Sequence, residues 1–129
     1  MLGTASRIAT VATLTACLSL AGTAIARAPA ETTVTFKGSG DCWGVVKSSR
    51  PLRCAKDRKV VVYKQLGSVQ RPGTDEKVGS DTASLNGTRY EWSTGQPGVY
   101  GKLYARAGRT PVCLADSSPT VRVSRPDAR

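Results

Sequence analysis

Histidine is absent from this 129-residue chain, and phenylalanine, methionine and asparagine each occur once. Without imidazole the commonest general base and metal ligand is missing, so Ser-His-Asp and Cys-His catalysis are excluded. A cysteine nucleophile would need a neighbour that lowers its pKa, and Asp41 beside Cys42 acts in the opposite sense. Carboxylates are scarce too, nine Asp and Glu against 19 Lys and Arg. The only adjacent acidic pair, Asp75-Glu76, stands in a Gly/Pro/Thr loop and reads as a solvated turn, not a metal site. Serine and lysine are plentiful, but no spacing marks a dyad. Gly38-Ser39-Gly40 lacks the following helix that a phosphate-cradling loop requires. No window keeps helical periodicity over three turns, and there is no internal repeat or low-complexity tract. The expectation is a protein that is not an enzyme and holds neither cofactor nor metal.

What is present begins with a leader. One positive charge, Arg7, precedes an uncharged run from Ile8 to Ile25, followed by Ala24-Ile25-Ala26 and later Ala-x-Ala sites. That is the secretory pattern. Proline after Ala28 disfavours cutting there, so cleavage is expected after Ala26, with Ala30 second. The uncleaved run is long enough to anchor in a bilayer, but its Thr and Ala content and its exit sites argue for removal. Leu14-Thr15-Ala16-Cys17 resembles a lipobox, which would make Cys17 a lipid-bearing terminus. Apolar residues continue past Cys17, however, where lipoproteins normally turn polar. From Arg27 onward 18 basic residues face nine acidic ones, a net charge of +9. No membrane span is expected once the leader is gone.

Beyond it the pattern is short β runs separated by Gly and Pro. They are Thr32 to Phe36, Cys42 to Lys47, Lys59 to Lys64, Lys77 to Thr82, Thr88 to Ser93, Val99 to Ala107 and Thr120 to Ser124. Asn86-Gly87 is a pair favoured in two-residue hairpin loops where both residues take φ > 0. Seven strands at short spacing predict a single all-β sandwich over 32–124, with a disordered linker at 27–31 and a flexible tail at 125–129. Alternation turns Val60 with Val62, Tyr90 with Trp92, and Leu103 with Ala105 and Ala107 inward. It sets Lys102, Tyr104 and Arg106 on the outer face, and Trp43 with Val45 supplies the opposing layer. So modest a core is expected to need a covalent tie.

Removal of the leader leaves Cys42, Cys54 and Cys113. In an oxidising compartment three thiols make one bridge and one survivor, and spacing alone leaves all three pairings open.

The order Gly44-x-Val46, Arg53-Cys54-x3-Arg58-x-Val60-x-Val62-Tyr63-Lys64, Val78-Gly79-Ser80-Asp81-Thr82, Asn86-Gly87-Thr88-x-Tyr90-x-Trp92, Gly101-Lys102-Leu103-Tyr104-Ala105 and Cys113-Leu114-Ala115-Asp116-Ser117-Ser118 resembles a bacterial exported domain. It is the group similar to carboxypeptidase-regulatory-like and transthyretin-like β-sandwiches, and the resemblance covers Trp43 to Val123. It implies a sandwich fold and a Cys54–Cys113 disulfide, and says little of activity. Cys42 departs from the pattern and is left as the candidate free thiol, with Cys42→Ser expected to change stability little. Some related sandwiches carry a Lys–Asn isopeptide bond, but Asn86 falls at a hairpin tip and not on a core strand.

The basic surface is the remaining lead. Arg50, Arg53, Lys56, Arg58 and Lys59 crowd one loop, and Lys102, Arg106 and Arg109 line another segment. Such charge attracts polyanions over long range, and outside a cell these include acidic envelope polymers. Specific nucleic-acid binding would add exposed aromatics between the cations, for which only Tyr63 and Tyr104 offer themselves. The leading expectation is a secreted structural or adhesive accessory that contacts anionic envelope polymer. The rival is a protein-binding effector, an inhibitor or toxin-like factor, using the loop Pro72 to Glu76 or the tip Gly95 to Gly98, and a third reading is an enzyme of unfamiliar design. The sequence does not specify the oligomeric state.

Overall fold

The computed structural model describes residue 3 and residues 27–38, 41–96 and 98–125. The rest of the expected leader, with Cys17, and positions 126–129 of the expected tail lie outside them. Among the described residues the chain forms nine strands and one short helix in two sheets. One sheet has the order β1 (Thr32–Val34), β2 (Cys42–Ser48), β6 (Arg89–Gly95), β5 (Ser84–Asn86). In the other, β4 (Glu76–Thr82) pairs with β3 (Lys59–Lys64), and β3 with β7 (Gly101–Ala107). The far edge of β7 carries two short strands in succession, β8 (Asp116–Ser117) and β9 (Val121–Val123). Every strand pairing is antiparallel.

The two sheets close over one apolar core. Val60 and Val62 of β3 and Leu103, Ala105 and Ala107 of β7 are fully buried, facing Val34, Val46 and Trp92. Period-two alternation places them there. Each open side of the sandwich is laced by a carboxylate bonded to backbone of the opposite sheet. Asp116 of β8 accepts from Val34 N at 2.7 Å, and Asp81 of β4 accepts from Ser93 N at 2.7 Å. Between β8 and β9, Ser118 exchanges bonds with both backbone groups of Ala105, so the edge tolerates the adjacent Pro119.

Several expectations need correction. The two additional strands, β5 and β8, have three and two residues, too few for a periodic pattern to register. The inward face of β2 is Cys42, Gly44 and Val46, not Trp43 and Val45. Gly44 lies opposite Trp92 in the β2–β6 register, and the indole occupies the space a side chain would need. A Cβ on Gly44 would overlap Thr35 O and approach Trp92 Nε1 to 2.8 Å, while Nε1 donates to that same Thr35 O at 3.1 Å. A one-residue displacement inverts every side chain of a strand, and here the steric demand of Trp92 decides the phase. The hairpin loop is also shifted by one residue. Asn86 pairs with Arg89, leaving Gly87-Thr88 as the loop, and of the two only Gly87 takes a positive φ, 64°.

The segment 27–31 is not a free linker at its end. Ala30 is buried, donates to Val112 O and accepts from Leu114 N, forming a parallel bridge opposite Cys113. Tyr104 does share the outer face of β7 with Lys102 and Arg106, yet it is fully buried. The connection 65–75 folds back across that face and covers it. Asp75 secures this strap, accepting from Leu66 N at 3.1 Å, Arg71 N at 2.7 Å and the Tyr104 hydroxyl at 2.6 Å. Gln70 carries the strap across β7 by donating to Ser118 O and Thr120 Oγ1. The expected solvated turn at Asp75-Glu76 is therefore half wrong, because Asp75 is a buried latch and only Glu76 is exposed.

Candidate functional site

The densest charge gathers where β3 begins and β7 ends. Pro51 starts the helix α1 (Pro51–Cys54), its fixed φ and missing N–H suiting the first turn. The chain then coils tightly, with Ala55 N and Lys56 N both donating to Pro51 O and Asp57 N donating to Ala83 O at 3.0 Å. Asp57 takes φ 56°, a conformation Asp accepts more readily than most residues. This turn sets Arg53, Lys56 and Asp57 on one rim, all exposed.

The disulfide brings the second rim to meet it. Cys54 and Cys113 are bonded, with Cα atoms 5.6 Å apart across 59 residues of sequence. Of the three pairings open to the sequence, this is the one present, and it draws the loop after β7 against α1. Arg58 locks the junction from inside. Its guanidinium donates to Thr32 Oγ1, Cys54 O, Gly108 O and Leu114 O, and burial pushes its pKa down from the ordinary value.

Between the rims lies a cavity of about 450 Å³. Its floor is the outer face of β3 and β7, where Lys59, Val61 and Tyr63 stand beside Arg106, which pairs with Val61 across the ladder. Arg53, Lys56 and Asp57 come from the α1 side, and Gly108, Arg109 and Thr110 from the loop. Thr110 Oγ1 is buried in this wall with no hydrogen-bond partner. Arg106 is oriented by donating to Ser117 Oγ at 2.8 Å. Among the described residues the one ion pair is Arg89–Glu91 at 3.4 Å, on the other sheet, so none of the cavity's cations is neutralised by a carboxylate contact.

Of the eight basic residues singled out in the sequence, five converge here: Arg53, Lys56, Lys59, Arg106 and Arg109. Arg58 touches the same cavity, but as a 5% exposed structural tie, so it is no surface cation. Its four carbonyl and hydroxyl partners explain why a charge sits there. Arg50 belongs to an adjoining hollow of about 350 Å³ with Arg27, Arg53, Pro111 and Val112. Lys102 is remote, near the start of β7, where its ammonium donates to Gly67 O of the strap.

The two tyrosines considered as stacking platforms do not serve as such. Tyr63 and Tyr104 stack on each other, centroids 5.3 Å apart and planes 16° from parallel, and both are buried. Burial, then the Asp75 carboxylate, push the Tyr104 hydroxyl well above the ordinary phenol range. The bond from Tyr104, with backbone donation from Arg71 and Leu66, holds Asp75 below the usual carboxylate range. Cys42 lies in the core as a free, buried thiol whose pKa is raised chiefly by that burial.

Sequence reading missed Asp57 and Gly108 as parts of the cavity, and no local pattern points to either. Among the described residues no three His, Cys, Asp or Glu side chains gather as a metal site, and no helix is long and apolar enough to cross a membrane. The chain is thus a small two-sheet β-sandwich with one disulfide and a cationic hollow on the outer face of its larger sheet. No family model, curated protein or solved structure matches it.

Proposed function

We propose that this domain is an exported binding module, not an enzyme, and that its basic cavity contacts anionic polymer of the cell envelope. One observation carries the reading: five cations from two chain segments, 53–59 and 106–109, meet at a single hollow, and among the described residues none of them is in an ion pair with a carboxylate. Like charges held close raise the energy of the folded state, and an arriving polyanion relieves that repulsion. The leader supports export, and the disulfide accords with an oxidising compartment. The proposed kinship to carboxypeptidase-regulatory-like and transthyretin-like sandwiches draws support from the two-sheet architecture and the bridge.

The test is retention on isolated envelope as salt rises from about 0.05 to about 0.5 M, a range over which screening of exposed charges becomes severe. Wild-type protein should be released within it. The variant Arg53→Gln/Lys59→Gln/Arg109→Gln, altered only at exposed positions, should fail to bind at the lower end, whereas Lys47→Gln on the other sheet should bind normally. Equal retention of the triple variant would refute the assignment. The protein-partner reading has its own support in Leu66 and Val69, 62% and 52% exposed on the strap. Salt-resistant capture of one protein, abolished by Leu66→Ser/Val69→Ser, would favour it.

A further inference from the structure

We infer that the cavity is built for one unit of such a polymer, a polyol ring bearing a tetrahedral oxyanion, and not for an unbroken run of charge. This rests on the reading of the domain as an anion-binding module and adds what the bound unit looks like. The cations surround a depression in place of lining a ridge. Lys59 and Arg106 rise from neighbouring strands about 4.8 Å apart, while Arg53 and Arg109 reach in from α1 and from the loop after β7. Guanidinium forks match the paired oxygens of a tetrahedral oxyanion.

The remaining lining is not what a polyanion groove needs. Between the cations the lining is Val61 and the largely buried Tyr63, a small apolar surface suited to the C–H face of a ring. Asp57 places a carboxylate at the rim, held there by its own backbone bond to Ala83 O. Against a bare polyphosphate that charge is repulsive. Against a polyol it is an acceptor for hydroxyl donors. Gly108 contributes no side chain, and a Cβ built on it meets no atom within 4 Å, so the hollow is open at that point. Its volume lies within the range of small-ligand sites, about 300–1,000 Å³.

Gly108 makes charge and shape separable. Gly108→Phe fills the hollow without altering any charge, and its backbone φ lies outside the left-handed region. Asp57→Asn removes the rim carboxylate while keeping a residue type that tolerates the left-handed conformation. The mature, disulfide-bonded protein is titrated by NMR at fixed ionic strength with glucose-6-phosphate, glucose, inorganic phosphate and long-chain polyphosphate. Glucose-6-phosphate should bind at least about tenfold more tightly than either inorganic phosphate or glucose, the margin a fitted charged site provides. Gly108→Phe should weaken it by about tenfold or more, with polyphosphate changed less than about twofold. Asp57→Asn should tighten polyphosphate and not glucose-6-phosphate. Equal binding of glucose-6-phosphate and inorganic phosphate, or indifference to Gly108→Phe in a variant that melts like wild type, overturns this inference and leaves polymer binding standing. Failure of the wild-type protein to bind polyphosphate as well overturns both.

Discussion

Replacing Cys54 and Cys113 together by alanine should be the most damaging change that leaves the native contacts in place. Both residues are fully buried, and the bond closes a loop of 59 residues. For a loop of that length the chain-entropy relation assigns about 4 kcal/mol to the cross-link. The folded junction does not depend on the sulfurs alone, because Arg58 still ties Cys54 O to Gly108 O and Leu114 O, and Ala30 still bridges across Cys113. The loss therefore falls mainly on the unfolded chain, which regains its freedom. With an unfolding entropy of about 2.1 cal/mol/K per residue over roughly 100 residues, 4 kcal/mol corresponds to a fall of about 20 °C in Tm. Thermal melts followed by circular dichroism measure it, and urea unfolding should show a larger m because the released chain exposes more surface. Cys42→Ser is the control. Its site is buried, but the Thr94 hydroxyl lies alongside the thiol, otherwise unpaired, and can hydrogen-bond a serine in its place, so the fall should stay within about 5 °C. In the chain from residue 27 no thiol should react before denaturant is added, and one should react after. A double alanine variant that melts within about 5 °C of wild type, or a Cys42→Ser variant as unstable as it, would refute the reasoning.

Two further outcomes test the packing. Gly44→Ala should destabilise by about 2–4 kcal/mol in chemical denaturation, because its methyl overlaps Thr35 O and crowds the indole. Gly79→Ala, which meets only the Thr94 side chain, at 3.2 Å and beyond, should cost clearly less, and equal effects would count against the register that sets Gly44 opposite Trp92. The strap should give way at both ends of the pH scale. Asp75 is depressed in the folded state, so its contribution is complete above its unfolded pKa of about 3.9 and is lost as pH falls through the lower folded value. Tyr104 is raised, so its contribution is complete below about 10 and is lost as pH climbs beyond that. Tyr104→Phe removes the main force holding Asp75 down and should move acid unfolding to higher pH. Phenolate absorbance should show Tyr104 ionising only as the fold is lost, and ionisation of all four tyrosines with intact circular dichroism would contradict its burial.

The chain's sequence by itself determined the strand content and most of the core. β-branched alternation at Lys59–Lys64 and the spaced Leu103, Ala105 and Ala107 carry a period-two signal that nothing else in the fold disputes. The excess of positive charge was equally plain, since it depends on residue identity and not on contacts. Tertiary structure decided the rest. The phase of β2 turned on whether a tryptophan or a glycine takes the inside of one pair, a choice made between strands far apart in sequence. Asp75 read as a wet turn and Tyr104 as an outward aromatic because each is polar or exposed by local pattern, and only the strap's return across β7 dries them. The cavity depends on the same kind of closure. Arg53 and Lys59 read as one basic cluster and Arg109 as part of another until a bond over 59 residues draws two loops together, and no local rule of propensity or spacing contains that distance.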